Sequence, residues 1–277
     1  MTAPPQTQPP PSRRRWWLVA AVAAWIVVVG VLAVWSVGHE RASVPEQRDI
    51  GLAVADLQRA TGVVYAAASG DDQAVVLGEL QLSPDCRITP VRRGLAAART
   101  VTVYVGGGAA AGEAVEALAT RLPAAYLVDV GRSNGGTKVS LHADAGDFVG
   151  IDMSGLSGEK VFTLRLTTGC RPIDGDAPSG DDPSGVPAPA LLDTVVTALG
   201  GSPREPEGRT VQCPSGRLAG SWTVSRVTRP ADVAGKIRGV EVVKADNQMW
   251  VYRSGGDSVV VLPEGDGLDV TVSTPCQ

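Results

Sequence analysis

Cys86, Cys170, Cys213 and Cys276 are the residues of this 277-residue chain whose chemistry is most constrained by type and spacing. None lies in a CxxC pair, and only two histidines, His39 and His142, accompany them. A zinc site normally shows two close-spaced ligand pairs, so neither a metal nor another cofactor is expected. Four separated cysteines read instead as two structural disulfides formed in an oxidising compartment. On cysteine count alone three pairings are open.

The remaining motifs are incomplete. Gly107 and Gly112 have the spacing of a phosphate loop, but Glu113 and Ala114 stand where Lys and Ser or Thr belong, and a carboxylate there repels phosphate. Ser157 and Lys160 share the SxxK spacing of penicillin-binding serine enzymes. The tetrad lies in a Gly-rich turn and lacks the SDN-like and KTG-like partners, so it reads as a hairpin. Thr168-Gly169-Cys170-Arg171 faintly resembles the active-site end of L,D-transpeptidases, yet Thr168 replaces the His expected before the Gly. His142, the other candidate base, sits in TKVSLHA and is expected on an exposed strand face. Cys170 is therefore read as half a disulfide, and no catalytic residue is expected.

Asp71, Asp72, Asp144 and Asp147 lie beside Gly or small residues and read as turn formers. Asp174, Asp176, Asp181 and Asp182 invite a calcium loop, but the closing Glu is missing and the spacing fits none. A solvated acidic linker is the reading. Trp222 and Trp250 fall in apolar strands, where core packing is expected.

These residues have to be positioned by the elements around them. Residues 1–15 are a Pro-rich stretch ending in Arg13, Arg14 and Arg15, read as a disordered cytoplasmic tail. Residues 16–38 carry no charge and are long enough for a transmembrane helix. Tryptophans lie near both ends, and the arginines before it place the amino terminus in the cytoplasm. A cleaved signal peptide is the rival, but no clean cleavage site follows the run. The expected organisation then runs through a first exported lobe (46–170), a Pro/Gly/Asp-rich linker (171–187) and a second lobe (188–277).

The two lobes read as copies of one plan. Each opens with an amphipathic helix, Gln47–Thr61 and Pro189–Leu199, expected to stop at Gly62 and Gly200. Each reaches its first cysteine through a β-like stretch, continues into a strand, and then has a helical stretch, Ala110–Leu122 and Ala231–Ile237. Four strands follow in the same order in each. Phe162, Leu164 and Leu166 precede Cys170 by the same distances as Leu268, Val270 and Val272 precede Cys276, so each trio is expected on one sheet face. The middle hairpins are expected to close alike at Gly146-Asp147 and Gly256-Asp257. The repeat selects Cys86–Cys170 and Cys213–Cys276, and the fold class is α+β, with helices packed on an antiparallel sheet in each lobe.

Composition narrows the partners. Residues 1–38 hold three arginines and no acid, leaving 22 basic and 29 acidic residues beyond them. So acidic an exported part does not suit nucleic acid. Four of the six tryptophans lie between positions 16 and 35, so stacking platforms are scarce elsewhere. The Ala/Val/Gly/Arg/Asp-rich composition, the PPQTQPPPSRRRWW opening, the single anchor and the sparse cysteines are similar to single-pass envelope proteins of unknown function from high-GC actinobacteria. That resemblance implies the cell envelope and assigns no activity. The expectation is a non-catalytic, membrane-anchored binding protein whose partner is another envelope protein or a cell-wall component. The alternatives are a small-ligand or lipid carrier using a cleft between the lobes, or a cell-wall-modifying enzyme.

Overall fold

Several stretches of the chain beyond residue 50 alternate apolar and polar residues at period two, and a sheet buries one face of such a strand while wetting the other. The computed structural model describes residues 13–39, 48–70, 72–175, 178–183 and 185–276. Residues 1–12 of the expected tail, residues 40–47, where the first lobe's helix was expected to begin, Asp71 and Asp176 lie outside the described residues.

One unit is the helix α1 (Arg13–His39), in which Trp16–Trp35 is long and apolar enough to cross a membrane. The described residues from 48 onward form a second compact unit. Its first lobe comprises α2 (Ile50–Ala68), β1 (Gln73–Leu77), β2 (Gln81–Arg87), β3 (Arg93–Val105), α3 (Ala111–Arg121), β4 (Asp129–Ser133), β5 (Lys138–Asp144), β6 (Gly150–Leu156) and β7 (Val161–Arg171). Its second lobe comprises α4 (Ala190–Ala198), β8 (Glu207–Gln212), β9 (Leu218–Thr228), β10 (Glu241–Ala245), β11 (Trp250–Ser254), β12 (Asp257–Glu264) and β13 (Gly267–Thr274).

Both sheets are antiparallel, and their strand orders match. In lobe 1 the order is β2-β3-β7-β6-β5-β4, with β1 also pairing with β3; in lobe 2 it is β8-β9-β13-β12-β11-β10. Phe162, Leu164 and Leu166 are buried in the first core, and Leu268, Val270 and Val272 in the second. Each such side chain removed from water contributes roughly 1.5–3 kcal/mol. Disulfides join Cys86 to Cys170 and Cys213 to Cys276, each tying the lobe's outer strand to its last one. The first bridge passes over Gly94 on β3, where a Cβ would lie 2.7 Å from the Cys170 Sγ.

Three local expectations are corrected. Asp49 caps α2 by accepting the Gly51 N–H at 2.7 Å, but the helix runs through Gly62 to Ala68. Gly62 is there because the end of β8 crosses the helix so closely that a Cβ would lie 1.9 Å from the Gln212 carbonyl oxygen. Gly200, at φ +88°, does end α4. The stretch Ala231–Ile237 is a turn rather than a helix; it buries only Val233 and Ile237, too few to hold a helical face. The middle hairpins also differ. β11 and β12 join through Gly255-Gly256, whereas residues 145–149 close a wider loop between β5 and β6, with the Ala145 N–H donating to the Val149 carbonyl.

The lobes interlock. α2 packs on β3 and β7 and reaches β8. The buried Tyr65 phenol donates to the Thr274 carbonyl at 2.9 Å, and burial pushes its pKa up, so it stays a neutral donor. β1 lies over the outer face of the second sheet, where Ala74 and Tyr104 meet Val251 and Val260. The Val75 and Leu77 N–H groups donate to the Ser258 and Ser221 hydroxyls, at 3.1 and 2.8 Å. An otherwise unpaired strand edge is satisfied in this way.

Candidate functional site

The motif residues are occupied structurally. The Ser157 hydroxyl, in the β6–β7 turn, donates to the Gly136 carbonyl at 2.6 Å, and the Lys160 ammonium donates to the Ala109 and Gly107 carbonyls. The Ala111 and Gly112 N–H groups at the start of α3 donate to the Glu159 and Ser157 carbonyls. The donors a phosphate would need are thereby used. Thr168 bonds the backbone of Ala97, and Cys170 is in its disulfide. Trp222 and Trp250 are 4% and 9% exposed and belong to the second core.

The acids divide. Asp144 is a turn former, its Oδ1 accepting the Gly146 N–H at 2.9 Å, and Asp147 pairs with Arg48 at 2.9 Å. Asp182, expected to be solvated, is a correction. Its Oδ2 accepts from the fully buried Arg99 at 2.7 Å and from the Thr210 N–H at 2.9 Å. Arg99 also donates to the Gly78 carbonyl, so the linker and both lobes meet at this one ion pair. Burial lowers the Arg99 pKa, and the Asp182 carboxylate opposes that shift. Arg171, likewise buried, donates to the Asp147 and Phe148 carbonyls and holds the β5–β6 loop.

A group of polar residues not committed in this way lies on the outer face of β4–β5–β6. Strand register aligns Asp129, His142, Asp152, Arg165 and Thr100 in one row across β4, β5, β6, β7 and β3. Directly paired residues share a face. The His142 side chain is 80% exposed, and its Nδ1 contacts the Asp152 Oδ1. No serine or threonine hydroxyl bonds that imidazole among the described residues, so no nucleophile–base pair is formed here. The β6–β7 ladder covers only Gly150 to Asp152, whereas the corresponding β12–β13 ladder runs its full length.

Three concavities follow β5 along this face. The first, about 380 Å³, is lined by Leu127, Asp129, His142, Asp144 and Phe148. The second, about 630 Å³, shares Asp129 and His142 and adds Ser140, Asp152, Ser154 and Arg165. The third, about 280 Å³, shares Ser140 and Ser154 and ends at Lys138 and Glu159. At the first, Leu127 and Phe148 are 77% and 45% exposed and sit at φ 48° and 59°. Bulky residues rarely adopt this region, and such strain concentrates at functional sites.

The second lobe serves as an internal comparison. Its same row reads Lys244, Val251, Val260, Thr271 and Thr223. There the face is apolar at its centre and covered by lobe 1. The fold itself therefore does not call for the charged row of lobe 1. Register could not be read from the sequence; the one available signal was the polar set Ser140, His142 and Asp144 alternating with apolar Val139, Leu141 and Ala143 along one strand.

A further groove of about 620 Å³ lies between α2 and the β8–β9 turn, lined by Gln58, Arg59, Val63, Pro183, Gln212 and Pro214 among others.

No family profile and no curated protein matches the chain. Among solved structures it is similar to the crystal structure of a DUF4853 family protein from Actinomyces odontolyticus, with a TM-score of 0.39 and 12% identity over 86% of this chain and 99% of that one.

Proposed function

We propose that the protein is a single-pass, membrane-anchored binding module of the cell envelope, without catalysis, that engages an envelope partner through the open face of its larger sheet. The observation that carries this is the contrast between equivalent rows. Lobe 1 presents Asp129, His142, Asp152 and Arg165 where lobe 2 buries Val251 and Val260. Surface charge aligned over a trough, with exposed apolar residues at one end, suits recognition. Anchoring is supported by the apolar span Trp16–Trp35 and the arginines before it, and an oxidising compartment by the two disulfides.

A photoreactive amino acid placed at Ser140 of the full-length chain in its membrane tests the site, with Glu264 in the β12–β13 turn as control. Adducts from Ser140 alone, lost on Asp129→Lys with Asp152→Lys, are expected. Equal adducts from both positions, or none, would overturn it. Protease added to spheroplasts is expected to digest the exported part and spare an amino-terminal tag; a mature form beginning after residue 38 would reject the anchor. A small-ligand carrier is the second reading, favoured by the groove beside Gln58 and Gln212.

A further inference from the structure

Resting on that reading of the open face, we propose that its occupant is an extended polypeptide segment carrying basic side chains, one of them seated between Asp129 and Asp144 beside Leu127 and Phe148.

The shape comes first. The three concavities share lining residues in sequence along β5, whose seven residues span about 23 Å. A trough of that length fits an extended chain better than a compact small molecule. The molecule also holds a precedent for this contact. On the equivalent face of lobe 2 the occupant is itself an extended segment, β1, whose N–H groups donate to hydroxyls standing on the sheet. Lobe 1 offers the Ser140, Ser154 and Thr163 hydroxyls along its trough. The open surface is moreover continuous with that interface. Tyr104 and Val161, which meet lobe 2, lie on the same face as Thr100 and Arg165.

Charge then selects the occupant. Where lobe 2 carries Lys244 and Arg253, lobe 1 carries Asp129 and Asp144. In lobe 2 the Arg253 guanidinium donates to the Gly70 and Gln73 carbonyls of the segment it holds. Neither Asp129 nor Asp144 forms an ion pair with a cation among the described residues. An ammonium or guanidinium on an aliphatic stem satisfies both features of this end, its head meeting the carboxylates and its stem covering Leu127 and Phe148.

The test uses the full-length chain in nonionic detergent and three probes: a fluorescent alternating Lys-Val peptide, its Glu-Val counterpart, and a chitin-type oligosaccharide. The Lys-Val peptide is expected to bind, to lose about tenfold in affinity on Asp129→Asn with Asp144→Asn, and to weaken with salt. Leu127→Gly is expected to weaken binding while raising thermal stability, because it removes the apolar wall and relieves the positive φ. That pair of changes separates a lost contact from a damaged fold. Failure of the Lys-Val peptide to bind, or binding indifferent to the Asp substitutions, overturns the inference. If the oligosaccharide or the Glu-Val peptide binds instead and responds to those substitutions, the basic-peptide assignment falls and the binding face stands. If no probe binds and Ser140 yields no adduct, both fall.

Discussion

At position 62, helix propensity and tertiary contact make opposite demands. Alanine would favour an isolated helix by about 0.8–1 kcal/mol over glycine, but its Cβ would strike the Gln212 carbonyl oxygen in the neighbouring lobe. Gly62→Ala is expected to destabilise the chain by about 1–3 kcal/mol in denaturant unfolding; a gain would show that α2 can move off β8. Asp246 gives a pH-dependent case. Its Oδ1 accepts the Gln248 and Met249 N–H groups, and its Oδ2 lies 3.2 Å from the Lys244 ammonium. The Gln248 bond, helped by Lys244 and Met249, holds its carboxyl below the usual range. A depressed folded pKa contributes stability that is present above the ordinary value, about 4, and is lost as pH falls through the folded one. Thermal melts of Asp246→Ala are expected to differ from wild type at neutral pH and to converge in acid. A constant gap would show that charge is not involved. Half-buried Asp257 works the other way, since its partial desolvation raises its pKa and folding favours its protonated form. Of the buried arginines, Arg99 left a legible trace. It stands at an apolar-face position between Ala97 and Val101, and a charge in that register requires a buried partner. That the partner is Asp182, in a segment with no periodic pattern, had no local signal.

At the scale of elements, strand order and cysteine placement carry the same repeat. The closed loops separate 84 and 63 residues, and each bridge is expected to stabilise the fold by about 2–4 kcal/mol. Non-reducing peptide maps should contain these two pairs, and a thiol probe without reductant should label nothing. Labelling at Cys170, together with loss of a wall-modifying activity on Cys170→Ala, would reinstate a nucleophile there. Cys86→Ala and Cys170→Ala are expected to lower the melting temperature equally, because each removes the same bond. The strands were legible because their apolar residues recur at period two. The 231–237 stretch was not, because its two buried residues also suit a turn. The hairpin loops differ because residues 145–149 are held by Arg171 from across the lobe, a contact with no local sequence signature.

At the scale of the whole molecule, the lobes are expected to unfold together. Tyr65, the Arg99–Asp182 pair and the β1 amides all cross between them. Amide exchange at Val75 and Leu77 should therefore slow to the rate of the β9 and β13 core. Ser221→Val with Ser258→Val should speed exchange in both lobes, since each buried donor left unsatisfied costs about 1–3 kcal/mol. Acceleration confined to β1 would show that lobe 2 is stable without it.

The sequence by itself determined what depends on neighbours along the chain. An uncharged run makes an apolar helix, period-two alternation makes strands and separates wet faces from dry ones, and a repeated order of elements with matched cysteines implies two lobes and their bridges. Tertiary structure alone decided which wet face stays open. The outer faces of the two sheets have the same topology, and one is covered because β1 lies across it while the other is left to solvent. Register, fixed by packing of the sheet against α2 and α3, brings Asp129, His142, Asp152 and Arg165 from four strands into one row. No two of those residues are close in sequence, so the surface on which the proposed function rests comes into being only when the sheet closes.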